Sequence, residues 1–108
     1  MWENLAATGG LDGAINVIDI GKHEVKIKLK LTEEGEGVTR MLFSKIHNHI
    51  LYVGSTYGSI YIFDIRNGEI TKTLKGHVAP VMEIVENVTH NVLISAGDDR
   101  KCLVFQLI

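Results

Sequence analysis

Apolar and polar residues alternate along most of this chain. "VKIKLKL" (Val25–Leu31) sets an apolar residue at every second position with a lysine between, the pattern of a strand with one wet face. "AINVIDI" (Ala14–Ile20), "SIYIFDI" (Ser59–Ile65) and "CLVFQLI" (Cys102–Ile108) are rich in β-branched and aromatic residues, which suit a pleated, buried surface. Eleven glycines punctuate these runs, and no segment sustains a 3.6-residue period. The pattern predicts an all-β chain.

A repeat underlies the alternation. "LAATGGLDGAINVIDI" (Leu5–Ile20), "ILYVGSTYGSIYIFDI" (Ile50–Ile65) and "VLISAGDDRKCLVFQL" (Val92–Leu107) superpose without gaps, each a strand, a turn and a second strand. The position of Asp12 recurs as Tyr57 and Asp99, after 45 and then 42 residues. Two more strands fit between successive copies: Val25–Leu31 with Val38–Phe43, and Glu69–Leu74 with Val81–Glu86. Four strands per period of just over forty residues match one blade of a β-propeller. The expected layout is ten strands in sequence order: a blade over 1–31 without its innermost strand, a complete blade over 32–74, and a blade over 75–108 without its outer strand. Short turns favour pairing between consecutive strands.

Composition narrows the function classes. A length of 108 residues suits one small domain. Eleven basic against thirteen acidic residues give a net charge of −2, which implies no direct nucleic-acid or anionic-membrane binding. A single cysteine, Cys102, cannot form an internal disulfide and fits a reducing compartment.

"LKGHVAPV" (Leu74–Val81) contains a Gly-His pair, followed at fixed distances by Ser95, Asp99 and Phe105. "ID" (Ile18–Asp19) and "FD" (Phe63–Asp64) end the third strand of their repeats. In these residues the chain resembles the WD-repeat family over essentially its whole length, with "ID" and "FD" in the place of Trp-Asp. It departs from that pattern in keeping no Trp, and in having Gln106 where the third Asp belongs. The order of the repeats also resembles the C-terminal end of the angio-associated migratory cell protein family, whose fungal counterparts chaperone a ribosomal protein. The resemblance implies a non-enzymatic scaffold for protein partners, a basic segment among them, with no cofactor and no metal. It implies a place in the cytoplasm, with the nucleus as the alternative. Three blades cannot close a ring, so the chain is expected to be the C-terminal part of a larger propeller. The edges of "LAATGG" and "CLVFQLI" would then lack partners, which opens a route to self-association.

His77, Ser95 and Asp99 support two readings. As base, nucleophile and orienting acid they would make a hydrolytic set, although no nucleophile-elbow pattern surrounds Ser95. The WD resemblance implies instead a structural chain of hydrogen bonds from His to Ser to Asp, with Phe105 packing where a Trp would bond. The first repeat offers Thr8 and Asp12 for the same role, without a histidine ahead of them. The second has Val53 and Tyr57 in those places and "EEGEGV" for Gly-His. It is expected to have no polar network and to rely on packing of Ile50, Tyr52, Ile60, Ile62 and Phe63.

Three short motifs carry less. "HNH" (His47–His49) supplies too few ligands for structural zinc. "GEGV" (Gly35–Val38) lacks the third glycine and the helix of a dinucleotide loop. "NVT" (Asn87–Thr89) has the form of a glycosylation sequon and reads as a hairpin turn.

"TEEGEG" (Thr32–Gly37) joins an outer strand to the next inner strand, and should open on the narrower propeller face beside the turns at 56–58 and 97–100. Glu33, Glu34, Glu36, Thr56, Tyr57, Asp98 and Arg100 would then share one rim. That rim is either a solvated flexible loop or an acidic patch that steers a basic protein segment.

Overall fold

The computed structural model describes residues 4–107. Met1–Glu3 and Ile108, which the expected first and last blades include, lie outside them. Every regular element between Leu5 and Gln106 is a strand: β1 (Leu5–Gly9), β2 (Ala14–Asp19), β3 (Glu24–Lys30), β4 (Val38–Phe43), β5 (Ile50–Ser55), β6 (Ser59–Asp64), β7 (Glu69–Lys75), β8 (Val81–Asn87), β9 (Val92–Gly97) and β10 (Cys102–Gln106). They form three antiparallel sheets, ordered β1-β2-β3, β4-β5-β6-β7 and β8-β9-β10. The ten strands in groups of three, four and three are those the repeat predicts.

The repeat extends to irregularities of register. β4 skips a residue between Val38 and Arg40 against β5, and β8 does so at the equivalent Val81 and Glu83 against β9. The outer pairs slip at Val17/Ile18 and Ile62/Phe63, again at equivalent positions. A bulge twists its strand, and the second sheet shares its outer irregularity with the first sheet and its inner one with the third.

The sheets stack face to face, and strand periodicity assigns each side chain to one neighbour. On the middle sheet Leu51, Val53, Tyr61 and Phe63 face the first sheet, where Ile15, Val17, Leu29 and Leu31 meet them. Tyr52, Ile60 and Ile62 face the third sheet and meet Val81, Ile84 and Leu93. β6 is therefore buried along its whole length, which explains its continuous apolar run. Phe105 and Leu107 cover the second cluster from the third sheet, while the opposite face of that sheet leaves Val85 and Val104 exposed.

The β5–β6 turn shows how closely successive repeats pack. Gly58 has φ +87°, and a Cβ there would lie 2.3 Å from the His77 carbonyl oxygen. Only glycine allows both that backbone conformation and that approach.

Candidate protein-interaction rim

The connections that lead into β4 and β8 lie on the same face as the β1–β2, β5–β6 and β9–β10 turns, and hydrogen bonds tie the two kinds of loop together. The Thr56 amide donates to the Gly37 carbonyl at 2.9 Å, and the Asp98 amide to the Pro80 carbonyl at 2.9 Å, one equivalent bond in each of two sheets.

Beneath the rim of the third sheet lie His77, Ser95 and Asp99. Nδ1 of His77 is 3.0 and 3.1 Å from the two Asp99 carboxylate oxygens, and Nε2 is 2.7 Å from Ser95 Oγ. Asp99 also accepts from the amides of Val78 and Lys101, each at 3.1 Å. Burial opposes ionisation of Asp99, but the hydrogen bonds from His77, Val78 and Lys101 outweigh it and hold the carboxyl below the usual range. An ionised Asp99 can only accept, so Nδ1–H of His77 donates to it, while Nε2 and the Ser95 hydroxyl share the second hydrogen bond. These distances also suit a hydrolytic triad. Ser95, however, is only 1% exposed, with its hydroxyl enclosed under the connection that holds His77. The arrangement joins that connection to β9 and to the turn before β10. Gly97 gives His77 its space: a Cβ there would lie 2.4 Å from Nδ1.

Among the described residues the first sheet has no counterpart. Thr8 and Asp12 are both exposed and make no hydrogen bond to each other; Asp12 accepts only from the Ala14 amide in its own turn, at 3.1 Å. These two residues therefore do not form the network expected of them.

In the second sheet the expectation of no network is corrected. Glu36 is 1% exposed, and its carboxylate accepts the Tyr61 hydroxyl at 2.7 Å. Tyr57, at the position of Asp99, donates its hydroxyl to the Glu34 carbonyl at 2.7 Å. The Gly37 amide donates to Thr56 Oγ1 at 2.9 Å. These bonds do for the connection into β4 what His77 and Asp99 do for the connection into β8. They use different residues three-dimensionally close to the same place. Glu36 thus leaves the exposed acidic group, and the loop at 32–37 is a fastened one, contrary to the flexible reading.

Residues 68–106 match the family model of the WD domain, G-beta repeat. The chain contains a WD repeat. Human angio-associated migratory cell protein is 23% identical over 101 residues, which cover 94% of this chain and 22% of that protein. The chain therefore spans about a fifth of the length of such relatives. Among solved structures, the computationally designed Ika4 protein aligns at TM-score 0.79 with 25% identity, over 97% of this chain and 61% of Ika4. Saccharomyces cerevisiae Sqt1 aligns at TM-score 0.77 with 27% identity, over 97% of this chain and 28% of Sqt1. The three sheets are thus consecutive propeller blades, and the WD repeat at residues 68–106 points to a protein-interaction scaffold.

On this WD frame the rim divides in two. Above the second blade Glu33 and Glu34 are exposed, Tyr57 is 51% exposed, and Thr56 is half-buried. A groove of about 290 Å³ lies among Glu33, Glu36, Tyr57, Ser59, Tyr61 and Lys75, and reaches the edge of His77. Above the third blade Asp98 and Arg100 are exposed beside Lys101, so acid and base are balanced there. The acidic character belongs to the second blade.

A second polar tie, which no motif announces, sits at the opposite end of the blades. Glu86 is 5% exposed at the end of β8 and accepts from Ser44 Oγ at 2.7 Å, the Lys45 amide at 2.7 Å and the Tyr52 hydroxyl at 2.9 Å. It binds the third blade to the β4–β5 turn of the second. Burial, reinforced by the bond to Glu86, pushes the Tyr52 hydroxyl up to about 12, so it remains a donor at neutral pH.

Proposed function

We propose that the chain is a non-enzymatic WD-repeat scaffold that holds a basic segment of a protein partner on the rim of its second blade. The observation that carries this reading is the fastened loop at 32–37, which presents Glu33 and Glu34 to solvent while Tyr57 and Thr56 fix its backbone. A preformed loop loses little conformational entropy when a partner binds, and exposed acid on it steers and orients a basic ligand. The resemblance to a family with ribosomal-protein chaperones favours a ribosomal protein as the source of the segment, and so a role in ribosome assembly in the cytoplasm or nucleus. The buried position of Ser95 supports a structural role for His77, Ser95 and Asp99 over hydrolysis.

The test is fluorescence anisotropy with a labelled lysine-rich peptide and a glutamate-rich control. The lysine-rich peptide should bind, more weakly as salt rises, and the double substitution Glu33→Lys with Glu34→Lys should abolish binding. Equal binding of both peptides, or by the double variant, would remove the basis for this reading.

A further inference from the structure

The groove above the second blade is lined by Glu36, whose carboxyl group has one oxygen without a partner. Glu36 accepts the Tyr61 hydroxyl with Oε1, while Oε2 is buried and has no hydrogen-bond partner. A carboxylate oxygen ordinarily takes up to two donors, and a buried one left empty is costly. The ion pairs among the described residues lie elsewhere, at Arg40–Glu83 and Arg66–Asp64, and His77 is hydrogen-bonded to Asp99. Burial and the bond to Glu36 push the Tyr61 hydroxyl up to about 12, so Tyr61 stays a neutral donor and cancels no charge.

We propose that this groove receives the cationic head of one lysine or arginine side chain from a protein segment, with Glu36 Oε2 as its acceptor. The inference rests on the rim reading above and names the contact within it. The surroundings suit an organic cation better than a metal. Among the described residues no group of three or more His, Cys, Asp or Glu could hold a metal ion. Tyr57 and Tyr61 instead line the groove with aromatic rings, which favour an alkyl stem and a cationic tip. Glu33 stands at the groove as a second carboxylate. Lys75 also lines it without pairing to Glu36, and acts as a weak internal competitor.

The experiment uses the full chain and a labelled hexalysine peptide. Glu36→Gln keeps an acceptor for Tyr61 and removes the charge. It should weaken binding by about tenfold or more, as loss of a desolvated charge partner does. Glu33→Gln and Glu34→Gln, exposed at the rim, should each cost about threefold or less. Lys75→Gln should tighten binding. In the wild-type chain the carboxylate carbon of Glu36, followed by NMR, should shift as peptide is added; this readout stands even where a variant folds poorly. Unchanged affinity of Glu36→Gln, or an unmoved Glu36 signal, would overturn the contact while leaving the rim reading in place. Failure of the wild-type chain to bind the peptide would overturn both. An equal shift on addition of magnesium alone would mark an inorganic cation site and also overturn the proposal.

Discussion

Replacing Glu86 by alanine should cost more stability than any other single change of a polar side chain in the chain. Its carboxylate holds three donors, and two of them, the Ser44 and Tyr52 hydroxyls, belong to side chains only 0% and 3% exposed. Each buried donor left without a partner costs about 1–3 kcal/mol. Two features pull the sum down. A cavity of about 260 Å³ borders Glu86 and Tyr52 and can admit water, and removing a buried carboxylate without a cation recovers part of its desolvation cost. The net loss should be about 2–4 kcal/mol, against a total of about 5–15 kcal/mol for a typical domain. Glu86→Gln retains one acceptor and should lose about half as much. Tyr52→Phe removes one of three donors and should cost about 1 kcal/mol. Urea denaturation followed by circular dichroism gives the order. With a slope of about 1–3 kcal/mol per molar, the alanine variant's midpoint should fall by about 1–2 M. A midpoint for Glu86→Ala within error of wild type would show that the site is wet and that Glu86 does not join the two blades.

Other consequences follow from the same structure. Asp99→Ala should lower the melting temperature, because it strands the buried His77 Nδ1–H, while Asp98→Ala, exposed and without side-chain bonds, should not; equal shifts would break the assigned register. Gly97→Ala places a methyl carbon 2.4 Å from the His77 ring, and such overpacking should cost about 1–3 kcal/mol by the same urea assay; a neutral result would mean that His77 moves freely. Tyr52 and Tyr61 are held near 12 against an ordinary value of 10. The unfolded chain releases these protons first, so their contribution is present below pH 10 and is lost as pH rises towards 12. Unfolding midpoints should therefore drop across that window, and less so in Tyr52→Phe and Tyr61→Phe; a flat profile would contradict the buried donors.

The strands were legible because a two-residue alternation records which face each side chain meets. The blade count followed because the turn residues repeat at nearly constant spacing. The polar chain from His77 to Ser95 and Asp99 could be located because the resemblance to WD repeats, registered on Gly-His, implies those roles. What escaped notice had weaker signals. Glu86 sits two residues after Ile84, on the side of β8 that faces the core, so its parity marked it as buried, but nothing in sequence indicated Ser44 and Tyr52 as its partners. Glu36 lies in a loop without periodicity, between two glycines and near two exposed glutamates, and its burial depends on Tyr61 one strand pair away. Loop residues are assigned by tertiary contacts, which alternation along the chain does not encode.

A basic segment should engage one face of the chain, at the second blade. Amide chemical-shift mapping of the full chain with a hexalysine peptide tests it directly. Shifts should be confined to residues 33–37, 56–61 and 75–77, with the opposite end, at 45–49 and 87–91, unmoved. Shifts concentrated at that opposite end, or spread evenly over both, would contradict it.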